Sequence, residues 1–130
     1  MSHPNEDLVR RGYEAFSKGD MDTMAQLMTS DVVHRVPGKN QLSGEYKGQA
    51  DVFGYYGKLG ELTDGNFRVE LQDVQAKGDN QVVAKHRNIG ERAGKKLDAM
   101  ETLTFKIANG KINELEERPD DQAVMDEFWA

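Results

Sequence analysis

The chain has no cysteine among its 130 residues, which excludes disulfides, thiolate metal sites and a cysteine nucleophile. It has no run of about 20 apolar residues, the length a membrane-spanning helix needs. The segment Met1–Asp7 is polar and carries no apolar signal core, so the expectation is a cytoplasmic protein with no membrane partner. Basic residues are outnumbered, 17 Lys and Arg against 23 Asp and Glu, giving a formal charge of −6. A nucleic-acid binder needs a basic face to neutralise phosphates, so no nucleic-acid partner is expected. Arg10-Arg11 and Lys95-Lys96 read as solvated faces. Of only three histidines one is His3, and His34 and His86 lie far apart without a His-x-x-x-His spacing. No metal and no cofactor are therefore expected.

The length fits one domain, residues 1–130, with a single core. Hydrophobic residues make up 37% and charged residues 31%, so apolar side chains must be concentrated on one side of each element, as when one layer packs on another. Asn5 can cap a helix carrying Leu8, Val9, Tyr13 and Phe16, which Gly19 stops. Asp20 caps a second, with Met21, Met24, Leu27 and Met28 at helical spacing. Ala50–Leu62 reads as a third, in which Gly54, Gly57 and Gly60 share a face expected to approach a neighbouring element closely.

From Phe67 the period changes to two. Phe67, Val69, Leu71 and Asp73 share one face of a strand; Val82, Ala84, His86 and Asn88 share one face of the next. Leu97, Ala99, Glu101, Leu103, Phe105 and Ile107 do so in a third, and Asn109-Gly110 is a tight-turn signal leading into a strand from Ile112 to Glu117. Earlier, Val32, His34 and Val36 share one face of a strand that is followed by a turn over Gly44–Gly48. Pro119 opens a last helix with Ala123, Val124, Phe128 and Trp129 on its apolar side. The expected fold is α+β, with three N-terminal helices packed on a strongly curved mixed or antiparallel sheet and a short C-terminal helix. Four polar residues, His34, His86, Asn88 and Glu101, interrupt the otherwise apolar inward faces.

The element order, Lys18-Gly19-Asp20-Met21, Val33-His34-Arg35-Val36-Pro37-Gly38 and Phe105–Ile112 together resemble the NTF2-like superfamily, in particular its SnoaL-like and ketosteroid-isomerase-like branch. The resemblance covers nearly the whole chain. It implies a cone-shaped sheet around a hydrophobic cavity, a homodimer through the outer sheet face, and, in enzyme members, acid/base chemistry on polyketides, steroids or other ring compounds. The catalytic sets do not carry over. The isomerases' oxyanion-binding tyrosine falls on Gly12, with Tyr13 beside it pointing elsewhere. Their proton-shuttling aspartate falls on Val36, and their second acid falls on Leu103, as does the aspartate of the SnoaL-like cyclases.

What remains resembles the dehydratase and dehydrochlorinase members, which use a histidine with an acidic partner. His34 or His86 is the candidate base and Glu101 its orienting carboxylate. Asn88 either donates to a developing oxyanion or satisfies His86. The plainer alternatives are a core-edge imidazole bonded to backbone for His34, and a pair with Lys95 or Arg92 for Glu101. Tyr13, Phe16, Val36, Tyr55, Tyr56, Phe67, Leu103, Phe105 and Trp129 form core and cavity wall, and are the candidate contacts for a small hydrophobic molecule. A cofactor-free isomerase, dehydratase or cyclase and a non-catalytic binding domain are both compatible with this set.

Overall fold

The structure is a computed structural model and describes residues 3–130; Met1 and Ser2, the first residues of the polar N-terminal segment, lie outside it. The elements run α1 (Pro4–Lys18), α2 (Met21–Leu27), β1 (Met28–Val36), β2 (Gly44–Lys47), α3 (Gln49–Leu62), β3 (Arg68–Ala76), β4 (Gln81–Arg92), β5 (Lys95–Ala108), β6 (Lys111–Pro119) and α4 (Gln122–Phe128). The fold is α+β, but only α1 and α2 are N-terminal, because the β1–β2 hairpin precedes α3. The segment read as a turn over Gly44–Gly48 is β2. Its Glu45 and Tyr46 stand opposite Arg35 and His34.

Local signals act largely as the residues dictate. Gly19 closes α1 in the left-handed conformation with φ 66°, and Asp20 caps α2 by accepting from the Thr23 backbone N–H. Asn5 does not cap α1. His3 does, with Pro4 in the first turn, where its missing N–H costs nothing. Pro119 ends β6 rather than opening a helix; Asp121 caps α4, which buries Met125 and Phe128 and leaves Val124 and Ala123 outward. Gly54, Gly57 and Gly60 face open space, not a neighbour, because Val52, Tyr55 and Leu59 are the buried stripe of α3.

The six strands lie in the order β2-β1-β6-β5-β4-β3, antiparallel except where β1 runs parallel to β6. Register shifts interrupt this sheet in three places, one of them in β1 between Met28 and Val33. Gln72 is the extra residue in β3, so Val74 rather than Asp73 turns inward; Asn113 is the extra residue in β6, so Ile112 and Leu115 both do. The concave face holds α1, α2 and α3 through a core of Val9, Met24, Leu27, Val32, Val52, Val82 and Phe105. A second cluster of Leu42, Tyr55, Leu59, Leu97, Met125, Phe128 and Trp129 closes the other end. Here Gly38 adopts φ +94°, a conformation that favours glycine, and a Cβ there would displace the side-chain ends of Gln122 and Asp126. The same Asp126 carboxylate accepts from the Lys39 backbone and the Asn40 side chain, strapping this loop to α4.

Candidate functional site

Between the helices and the concave face lies a cavity with about 830 Å³ of empty space, its mouth included. Every residue put forward from the sequence as catalytic or ligand-contacting lies on its wall: His34, His86, Glu101, Tyr13, Phe16, Val36, Tyr55, Tyr56, Phe67, Asn88, Leu103, Phe105 and Trp129. Tyr13 therefore points into the cavity, not elsewhere. Gly12 lines it too, packed near Ile112. No lysine or arginine lines this space among the described residues, so its buried charges are answered only by hydrogen bonds.

Strand register brings the polar groups together. His86 stands directly opposite Glu101, and Leu103 opposite Glu117, so both carboxyls project from neighbouring strands on the same face. His34 stands opposite Leu115 and reaches Glu117 one inward step further along β6. His34 Nε2 lies 2.5 Å from Glu117 Oε2, which also accepts from the Tyr55 hydroxyl at 2.7 Å. His34 Nδ1 lies 3.0 Å from the Tyr56 hydroxyl. On the other side, His86 Nε2 lies 3.0 Å from Glu101 Oε1, and His86 Nδ1 lies 2.6 Å from the Tyr13 hydroxyl. Asn88 donates to Glu101 Oε1 at 3.2 Å and not to His86.

Each half thus runs phenol, imidazole, carboxyl. A carboxylate only accepts, so in the neutral ring it fixes the proton on Nε2 and leaves Nδ1 to accept from the phenol. Glu101 does not pair with Lys95 or Arg92, which instead donate to carbonyls at the C-terminal end of the chain.

Burial sets the electrostatics. His34 is 2% exposed, and desolvation drives its imidazole down to about 4 against the pull of Glu101. Desolvation pushes the Glu101 carboxyl up to about 7, the neighbouring Glu117 charge adds to the rise, and the His86 hydrogen bond opposes it. Burial raises Glu117 as well, against the neighbouring Glu101 carboxyl and the hydrogen bond from Tyr55. Tyr13, Tyr55 and Tyr56 are all raised, first by desolvation, and remain protonated donors. Among the described residues, no group of three or more His, Asp or Glu is placed to hold a metal ion.

Glu117 is the member that sequence reasoning passed over. It stands in the acidic run Glu114, Glu116, Glu117, which reads as a solvated edge. The available signal was its place two residues after Leu115, and so on Leu115's face, as His34 follows Val32. Among the described residues, no helix is long and apolar enough to cross a membrane.

Comparison with known proteins fits this architecture. An uncharacterised protein of Mycobacterium tuberculosis is 40% identical over 95% of both chains. The structure of Bal32a, from a soil-derived mobile gene cassette, superposes with a TM-score of 0.95 at 36% identity, covering 98% of this chain and 97% of that one. A protein of unknown function with a cystatin-like fold from Xanthomonas campestris does so with a TM-score of 0.89 at 30% identity, covering 95% and 96%. The SnoaL-like domain matches residues 9–115, most of the chain, and with these relatives it places the protein in the SnoaL-like family of the NTF2-like superfamily.

Proposed function

We propose that this chain is a cofactor-free cavity protein that moves a proton on a neutral, hydrophobic, carbonyl-containing ring compound, in an isomerisation, dehydration or cyclisation. The observation that carries this reading is the meeting of two imidazole–carboxyl pairs, each backed by a phenol, on an otherwise apolar wall. Burying four ionisable side chains costs free energy that an apolar lining would avoid, so holding an apolar ligand alone gives no reason for them. Groups with displaced proton affinity in a cleft are what acid/base chemistry at neutral pH requires. A second reading is a non-catalytic binding domain for a small apolar ligand. It is favoured by the engagement of all four imidazole nitrogens, none of which is free to take a proton from a substrate.

The test uses the purified protein in D2O with a panel of cyclic ketones, enones and 1,3-diketones. NMR reads deuterium uptake at the carbon beside the carbonyl, and calorimetry reads binding. The acid/base reading expects exchange above the buffer rate, abolished in His34→Gln or His86→Gln while affinity stays within about tenfold, or 1.4 kcal/mol. Binding of several ring ketones with no exchange above buffer would leave the binding-domain reading in its place.

A further inference from the structure

Among the described residues, one buried side-chain oxygen in the cavity has no hydrogen-bond partner: Glu101 Oε2. Its sister oxygen is fully occupied by His86 and Asn88. Diagonally across from it on the adjacent strand, opposite Leu103, stands Glu117, whose carboxyl lines the same cavity. Two carboxylates cannot bond to each other without a proton. We propose that Glu101 and Glu117 hold one proton between them and form the acid/base pair of this site, with His34 and His86 as positioning residues. This inference rests on the proton-transfer reading above and names the atoms that would carry it out.

A single proton on Glu101 Oε2 completes the network. Tyr13 donates to His86, which donates to Glu101; Tyr56 donates to His34, which with Tyr55 donates to Glu117; Glu101 then donates to Glu117. Every donor has an acceptor, and the cavity carries one negative charge. The titratable groups facing the pair are Tyr13 from α1, His34 from β1, Tyr55 and Tyr56 from α3, and His86 from β4; the Tyr46 hydroxyl of β2 is bonded to the Leu42 carbonyl instead. The elevated proton affinity of both carboxyls agrees with this arrangement.

The pair also explains how such a cavity can handle an enol without a cation. The C–H bond beside the substrate carbonyl breaks and its proton passes to the Glu117 carboxylate. The C–H electron pair forms the new C=C bond, while the carbonyl π electrons move to oxygen, which takes the proton from Glu101. Ketone becomes neutral enol, and the pair still holds one proton and one negative charge. Passing that proton from Glu117 back to Glu101 resets the site. A substrate entering as a carboxylate would put a second anion beside the first, so the class selected is the neutral ring ketone or enone.

The test does not depend on turnover. Protein labelled with carbon-13 at the glutamate side-chain carboxyls is titrated by NMR, with assignments from Glu101→Gln and Glu117→Gln. In the wild-type protein one of the two carboxyls should remain protonated at pH 6 and titrate near 7, and Glu117→Gln should move the Glu101 titration to lower pH. Both carboxyls ionised at pH 6, or a Glu101 titration indifferent to Glu117→Gln, overturns the shared proton even if ring ketones are turned over. If the titration is as expected and no ketone exchanges deuterium, the proton-transfer reading fails while the pair stands. Where exchange occurs, Glu117→Gln and Glu117→Asp separate the roles: the first should lower the rate at least about a hundredfold, and the second should restore part of it. Wild-type exchange in Glu117→Gln removes Glu117 from the chemistry.

Discussion

The two faces of the same strands treat charge in opposite ways. His34 and Arg35 are neighbours in sequence, as are His86 and Arg87, and alternation sends each histidine into the cavity and each arginine to the outer face. Outside, Arg35 bridges Glu45 and Glu114 at 2.8 and 3.0 Å, and Arg87 holds Asp98 through two bonds at 2.6 and 2.5 Å. The guanidinium hydrogen bonds keep Glu114 and Asp98 below the usual carboxylate range. Inside, Glu101 and Glu117 are raised, although each is also hydrogen-bonded. The deciding variable is water. Where solvent and a permanent cation are present the carboxylate is stabilised; where both are missing, burial favours the proton.

The hardest blow to this contrast should come from Glu117→Ala. It leaves His34 and the Tyr55 hydroxyl buried without their acceptor, and the expected loss is about 3 to 5 kcal/mol of unfolding free energy, measured by urea denaturation. Next in size is a pH effect with two opposing parts. Glu101 has a folded proton affinity above its ordinary value of 4.5, so the folded state holds the extra proton and stability falls as pH rises from about 4.5 to about 7. His34 is depressed from 6.5 to about 4, so the unfolded state binds the extra proton and stability falls as pH drops through that window. Glu117, raised like Glu101, adds to the falling part, so wild-type stability should not rise with pH between 4.5 and 6.5. Relative to wild type, Glu101→Gln should tilt the profile toward rising with pH and His34→Gln toward falling with pH, each by roughly 1 kcal/mol per pH unit at most in unfolding experiments.

Smaller still, Tyr55→Phe removes one donor to a charged acceptor and should cost about 2 kcal/mol. The same change should raise the proton affinity of Glu117, visible in the carboxyl NMR titration. Least affected should be Arg87→Ala on the outer face, whose melting temperature should differ little from wild type and whose small difference should vanish in high salt. A large salt-insensitive loss there would show that the outer pairs are not the solvated contacts described.

Most of the architecture was legible because alternation and capping are local. Ala84, His86 and Asn88 declare their face by spacing alone, and so do Glu101 and Leu103. The bulges at Gln72 and Asn113 were not legible, since either residue could continue an ordinary strand and only its pairing partner shows that it is extra. The third helix was located by its spacing, but grouping it with the first two overlooked β2, because Gly44–Gly48, with glycine at both ends, reads as a turn until β1 is there to pair with it. At the site, the histidines and Glu101 stood out as polar residues among apolar neighbours. Glu117 was hidden by acidic neighbours, and the Tyr13 and Tyr56 contacts depend on how helices lie across strands, which no single segment encodes.

The pairing of histidine and arginine in adjacent positions also guards the assembly of the sheet. Were β1 or β4 to slip by one residue during folding, Arg35 or Arg87 would turn into a space with apolar walls and His34 or His86 would turn out to solvent. A misaligned sheet would bury a permanent cation, whereas the native one buries a ring that can shed its charge. The same alternation that builds the site thereby makes wrong alignments short-lived, so that a polar interior, usually counted as a burden on folding, acts here as its proofreader.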